Sequence, residues 1–185
     1  MYHVKIKTDE GTEVITQAEV NNFIKYDENE TTENALIMSM VKAARELFEK
    51  YLNVSLKSKT YSFEFDAYAI DANEIDLPNG PHVSVTSIKQ YDDEETETIL
   101  TLNSDFYLRG SEFKTLYLPY LVTDYRYIVE YVAGYGGVDV EVLPAPLKSA
   151  ILETVKYWYD REEQDRIIPE TILAKVVPYS HTSMI

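Results

Sequence analysis

Residues 75–93 read IDLPNGPHVSVTSIKQYDD, and the way they fold divides the chain. Pro78 and Pro81 each fix φ, and Gly80 between them supplies backbone freedom. Val83, Val85 and then Ile88 or Tyr91 follow with the period of a strand. Asp92–Thr96 is a charged turn. A firm turn thus feeds an alternating strand.

Reading outward from that turn, the same period of two governs both sides. From Leu56 onward, Tyr61, Phe63 and Phe65 alternate with Ser62, Glu64 and Asp66, the pattern of a half-buried strand. Further strands are expected at 98–102, 105–109, 113–118 and 125–132, with Ser104-Asp105 and Arg109-Gly110-Ser111 as punctuation. Short strands at turn-separated intervals favour antiparallel pairing.

The two ends have a different period. Residues 2–16 read as two short strands around Thr8-Asp9-Glu10-Gly11. Thr16 with Glu19 forms a capping-box pattern, and a helix over about Gln17–Lys25 presents Val20, Phe23 and Ile24. After an acidic loop at Asp27–Thr32, Thr31 or Thr32 is the expected cap of a longer helix. Its stripe is Ile37, Val41, Ala44, Phe48 and Tyr51, widened by Leu47 and Leu52, with Glu46 and Lys50 as an i,i+4 pair and Asn53 as its end. Ala133-Gly134-Tyr135-Gly136-Gly137 breaks the β pattern, and Pro144 and Pro146 announce a helix carrying Ile151, Val155, Trp158 and Tyr159. Pro169 opens a last short helix to about Val177, and Pro178 stops it. The expected class is α+β: one unit over 1–185, a helical core from about 16–53 and 145–178, and an antiparallel β insertion over about 54–143.

Composition narrows the function. With 17 Lys plus Arg against 32 Asp plus Glu, the formal net charge is −15. Affinity for nucleic acid comes from clustered cations, so a phosphate-gripping surface is not expected. There is no cysteine, which excludes disulfides and thiolate metal sites. The opening MYHVKIKTDE lacks an apolar signal core, so secretion by a signal peptide is not expected, and the apolar stretches are too short to span a bilayer. Sixteen tyrosines suit half-buried sheet faces and interfaces.

A search for catalytic chemistry returns little. The histidines, His3, His82 and His181, lie near no Gly-x-Ser-x-Gly elbow, and no such elbow occurs. Each reads as an exposed or turn residue rather than a base. No two His stand at helical spacing with Glu between. Asp71-Ala-Asn73-Glu74-Ile-Asp76 fails as a calcium loop, because Ile75 occupies a ligand position and the turn glycine is missing. Gly134-Tyr135-Gly136-Gly137 has neither Lys-Ser/Thr behind it nor a helix opening directly after it, so it is no phosphate loop. No catalytic, metal or cofactor residue is therefore named. A β-rich module recognising protein or carbohydrate on its tyrosine-rich face, and an acid-dependent hydrolase, stand as competing readings.

The ordered combination of three segments resembles the head–tail connector proteins of tailed bacteriophages, also called head-completion, adaptor or DNA-packaging proteins. The first is the helix Val41-Lys-Ala43-Ala44-Arg45-Glu46-Leu47-Phe48-Glu49-Lys50-Tyr51. The second is Leu77-Pro78-x-Gly80-Pro81-x-Val83-x-Val85-x-Ser87-Ile88. The third runs Tyr131-x-Ala133-Gly134-Tyr135, Leu143-Pro144-x-x-Leu147-Lys148-x-Ala150-Ile151 and Tyr157-x-Tyr159-x-Arg161-Glu162, with Val176-Val177-Pro178-Tyr179 at the tail. The resemblance covers roughly residues 16–180.

This resemblance implies a structural, non-enzymatic virion protein without cofactor. It is assembled in the host cytoplasm and located at the head–tail junction. It would form a homo-oligomeric ring under the portal protein and offer a platform to a neck or tail-completion protein. DNA would pass through the ring without sequence-specific binding, and an acidic ring would repel phosphates. By the same resemblance the C-terminal segment reaches the portal, which makes Ile172, Leu173, Val176, Val177 and Tyr179 the expected partner-binding residues. The Leu77–Pro81 turn would hold the strand Val83–Tyr91 at the set angle that a ring joint requires.

Overall fold

A computed structural model describes residues 2–9, 12–27, 31–69, 73–135, 142–161 and 167–181. The capping box forms as expected: Thr16 Oγ1 accepts the Glu19 N–H and the Glu19 carboxylate accepts the Thr16 N–H. It starts α1 (Gln17–Ile24), which stops at Lys25 in the left-handed region. The next helix, α2 (Asn34–Leu52), differs at its start. Its cap position is Glu33, with no side-chain cap, while Thr31 contributes only its carbonyl to the Asn34 N–H. Asn53 closes it with φ 55°, in the αL conformation that short polar side chains tolerate.

Ile37, Val41, Ala44, Phe48 and Leu52 are the buried stripe of α2, and Tyr51 stands out in solvent. Four residues after Phe48 the core position falls to Leu52, which turns Tyr51 about 100° away. The expected Glu46–Lys50 pair is not among the ion pairs of the described residues; Glu46 lies beside Lys42 and Arg45 instead. The C-terminal helices are α3 (Ala145–Arg161) and α4 (Glu170–Val176), the latter running into a 3-10 turn at Val177–Tyr179.

Among the described residues eight strands lie between and before the helices: β1 (Tyr2–Thr8), β2 (Lys59–Asp66), β3 (Glu74–Asp76), β4 (His82–Tyr91), β5 (Glu97–Ile99), β6 (Tyr107–Arg109), β7 (Thr115–Tyr117) and β8 (Arg126–Ala133). They form an antiparallel five-stranded sheet in the order β1-β2-β8-β4-β5 and a three-stranded sheet in the order β3-β7-β6. The α+β class is therefore as the sequence implied. The hairpin expected over residues 2–16 does not form. Tyr2, Val4 and Ile6 instead pair with Phe65, Phe63 and Tyr61 of β2. That pairing adds three apolar side chains to the apolar face of a long strand, and it frees Val14 and Ile15 for the helical core.

Two apolar clusters result. The first gathers α1, α2, α3 and α4 around Phe48, Ile151, Val155 and Trp158. The second lies between the two sheets, with Phe63, Phe65, Ile88, Leu116, Tyr127 and Tyr131 fully or almost fully buried. Tyr61 stacks on Tyr131 and Phe65 on Tyr127, which accounts for four of the large rings on β2 and β8. Trp158 is completely buried, and its Nε1–H donates to the Ile167 carbonyl at 2.8 Å, tying α3 to the chain that leads into α4. Trp158→Ala is expected to destabilise the fold by about 3–5 kcal/mol through the cavity it leaves. Denaturant unfolding checks this, and an unchanged midpoint would contradict the packing described.

Candidate functional site

The turn that follows β3 is where the two clusters meet. Leu77 is buried in the β cluster, Asn79 takes φ 59°, and Gly80-Pro81 is a cis bond. Gly80 matters here for space rather than for φ: a Cβ on it would come within 2.5 Å of the Phe113 ring. Three carbonyls of the turn hold other elements. Pro78 O accepts the Tyr131 hydroxyl at 2.8 Å, Gly80 O accepts the Ser55 N–H at 2.8 Å, and Pro81 O accepts the Gly134 N–H at 2.8 Å. Ser55 follows α2 and Gly134 follows β8, so the turn stitches the helical end of the chain to the sheet.

His82 completes the junction. Its Nε2–H donates to Pro78 O at 3.0 Å, and its Nδ1 accepts the Lys114 N–H at 3.0 Å. Only the neutral Nε2–H tautomer satisfies both contacts. Burial of the ring pushes its pKa down to about 4. The histidine expected to be an exposed or turn residue is thus a buried tie at the end of a turn, with both ring nitrogens occupied.

A second buried polar group joins α2 to β2. Glu49 accepts from Arg45 Nη1 at 2.7 Å, from Lys59 Nζ at 2.6 Å and from the Leu56 N–H at 2.9 Å. Arg45 is 1% exposed and also reaches Glu13 at 2.8 Å, so two buried cations depend on one carboxylate and its neighbour. Tyr61 donates to Ser55 Oγ nearby, and burial raises its pKa to about 12, leaving a neutral structural hydroxyl.

The five residues expected to bind partners lie on one segment but on different sides of it. Pro169 O accepts the N–H groups of Ile172 and Leu173, which starts α4. Ile172 and Val176 then point into the helical core, Leu173 and Tyr179 pack half-buried against it, and Val177 is 49% exposed. Beyond the 3-10 turn, His181 N–H donates to Leu52 O at 2.9 Å, and the His181 ring stacks on Phe113 with centroids 4.2 Å apart. The segment is therefore pinned to the end of α2 and to the loop before β7, while its outer side stays open. No sequence signal announces the Phe113–His181 stack, because the partners lie far apart along the chain.

Nothing in the described residues gathers three or more His, Asp or Glu as a metal site. Grooves of 430 to 530 Å³ are lined by mixed side chains such as Phe23, Glu153 and Lys156 or Val4, Glu49 and Lys59, without a convergent set of catalytic groups. Asp71 of the failed calcium loop, and Gly136 and Gly137 of the glycine-rich stretch, lie outside the described residues.

The family described as Head completion protein matches residues 13–172. No curated protein matches the sequence. Among solved structures, the chain is similar to one in the neck of an empty GTA particle computed with C6 symmetry, with TM-score 0.79 and 18% identity over 99% of this chain and 97% of that one. It is also similar to one in the virion of a native gene transfer agent (GTA) particle, with TM-score 0.77 and 19% identity over 98% and 97%. A third, in the neck of a native GTA particle computed with C12 symmetry, gives TM-score 0.70 and 18% identity over 99% and 97%.

Two outcomes follow from the buried polar groups. The neutral His82 binds no proton until about pH 4, whereas the unfolded chain binds one below about 6.5. Its contribution is therefore complete above pH 6.5 and is lost as pH falls towards 4. Between pH 7.5 and 5.5 the loss is about 1 kcal/mol, and a His82→Gln variant, measured by denaturant unfolding at both pH values, should lack it. Glu49→Ala leaves Arg45 and Lys59 buried without their shared carboxylate, so a loss of about 3–5 kcal/mol is expected in the same assay.

Proposed function

The chain belongs to the head completion protein family, and from that premise we propose that it is a structural subunit of the head–tail junction of a tailed, phage-like particle. It forms a homo-oligomeric ring under the portal protein, extends the channel, and presents a platform to the next neck or tail-completion protein. It has no enzymatic role and needs no cofactor. The observation that carries this reading is the family match over 13–172, joined to a fold shared along almost the whole chain with proteins of GTA necks.

The physical chemistry of the chain supports the same reading. A ring joins one face of a subunit to a different face of its neighbour, and a helical core fused to a β layer offers two such faces. The junction at Leu77–His82 holds those faces at a fixed angle. The formal charge of −15 suits a channel wall along which DNA slides without being gripped. His82 has both ring nitrogens committed to backbone groups, so it supports the junction and is not free to act as a base.

The C-terminal segment is the portal-facing surface in this proposal. Ile172 and Val176 anchor it from below, Leu173 and Tyr179 shape its flank, and Val177 at its exposed side makes the contact. The test is co-sedimentation with purified portal protein. Val177→Asp should keep the wild-type melting temperature and weaken portal binding by about tenfold or more, as expected for a charge placed at the centre of an apolar contact. Wild-type binding by that variant would contradict the assignment of this face.

A further inference from the structure

The two edges of the five-stranded sheet carry opposite charge. β1, at one edge, reads Tyr2-His3-Val4-Lys5-Ile6-Lys7-Thr8 and contains no acid. At the other edge, the turn that joins β4 to β5 reads Asp92-Asp93-Glu94-Glu95-Thr96 and contains no cation, and Glu97 follows it. In a chain with almost twice as many acids as bases, an acid-free edge strand facing away from an acid-only turn is a marked asymmetry.

Some of these charges are already spent within the subunit. Lys7 pairs with Glu130, Glu95 with Arg126, and Glu97 with Lys89. Lys5, Asp93 and Glu94 have no ion pair among the described residues. They cannot meet inside one chain, because four inter-strand spacings of about 4.8 Å, roughly 19 Å in all, separate β1 from β5.

Both edges are also unfinished in other respects. β1 pairs only with β2 in the sheet, so the main-chain groups along its outer side have no strand partner. Tyr2 and Ile6 are 52% and 54% exposed, although their partners Phe65 and Tyr61 on the same face are buried. The apolar face of the sheet therefore runs out from under its covering layer at β1. At the opposite edge Ile99 of β5 is 63% exposed.

We infer that β1 of one copy docks head to tail beside the β4–β5 hairpin of the next copy, as the lateral joint of the ring; this rests on the ring reading above. The charge pattern selects the head-to-tail arrangement. A twofold contact of β1 with β1 sets Lys5 against Lys5 and leaves the acidic turn unpartnered, and a hairpin-to-hairpin contact sets acid against acid. Joining unlike edges neutralises both at once and covers Tyr2 and Ile6. Unlike edges make a heterologous interface, which propagates around a ring and does not stop at two copies.

The test uses two full-length charge reversals, Lys5→Glu and Glu94→Lys, and sedimentation velocity across a wide concentration range. Both positions are at the surface, and thermal melts confirm that each variant folds. Each variant alone sets like charges across every joint, so its self-association should weaken by about tenfold or more. In an equimolar mixture, the reversed β1 of the first variant meets the reversed turn of the second, and Lys5 of the second meets Glu94 of the first. Every joint of an alternating assembly then pairs opposite charges, and assembly should return. A mixture that stays dissociated while both variants are folded overturns the proposal. So does wild-type self-association by either variant alone, which would place the joint elsewhere and leave the ring reading untouched. Failure of the wild-type chain to self-associate at its highest soluble concentration overturns the joint as drawn, and imaging of purified necks then decides separately whether a ring of this chain exists.

Discussion

The Leu77–His82 turn is the constraint on which the rest depends. Each apolar cluster is satisfied within itself, one among helices and the other between sheets. Apolar contact is non-directional, so it does not by itself set the angle between the two. The turn does, because its buried carbonyls must find donors and those donors belong to different elements: Ser55 behind α2, Tyr131 within β8 and Gly134 at its end. His82 adds the loop before β7 through its contacts to Lys114 N–H and, by its own backbone N–H, to Glu112 O. Moving the sheet relative to the helices would break the Ser55–Gly80 bond and strand two polar groups away from water.

Much of this is legible in the sequence, for identifiable reasons. Helix stripes such as Ile37-Val41-Ala44-Phe48 and the alternation Tyr61-Phe63-Phe65 are local patterns, and burial follows them. The Thr16–Glu19 capping box and the Asn53 stop are equally local. What is not legible depends on long-range pairing. Nothing in residues 2–8 says that they pair with 60–65 rather than with 12–16, because register is decided by which apolar face is available. The ion cluster around Glu49 is hidden for the same reason, since Arg45 reaches Glu13 across 32 residues.

The candidate site shows the same division. The C-terminal segment is marked by its apolar residues and flanking prolines, but periodicity alone does not say that Ile172 and Val176 face inwards while Val177 faces out. His82 is recognisable as a turn residue, and its burial comes only with the approach of Phe113 and Tyr131. Two prolines and a glycine mark the turn as a rigid lead into a strand. The structure adds that the turn is also where the helical end of the chain and the sheet are hydrogen-bonded together.

Amide hydrogen exchange resolved at single residues tests this most directly. The amides of Ser55, His82, Lys114 and Gly134 all donate into or out of the junction. If the turn locks the helical core to the β layer, these four should exchange only with global unfolding, as slowly as the central amides of α2 and β8. Fast exchange at these four while α2 and β8 remain protected would show a junction that opens on its own, and would contradict the rigid coupling on which the account rests.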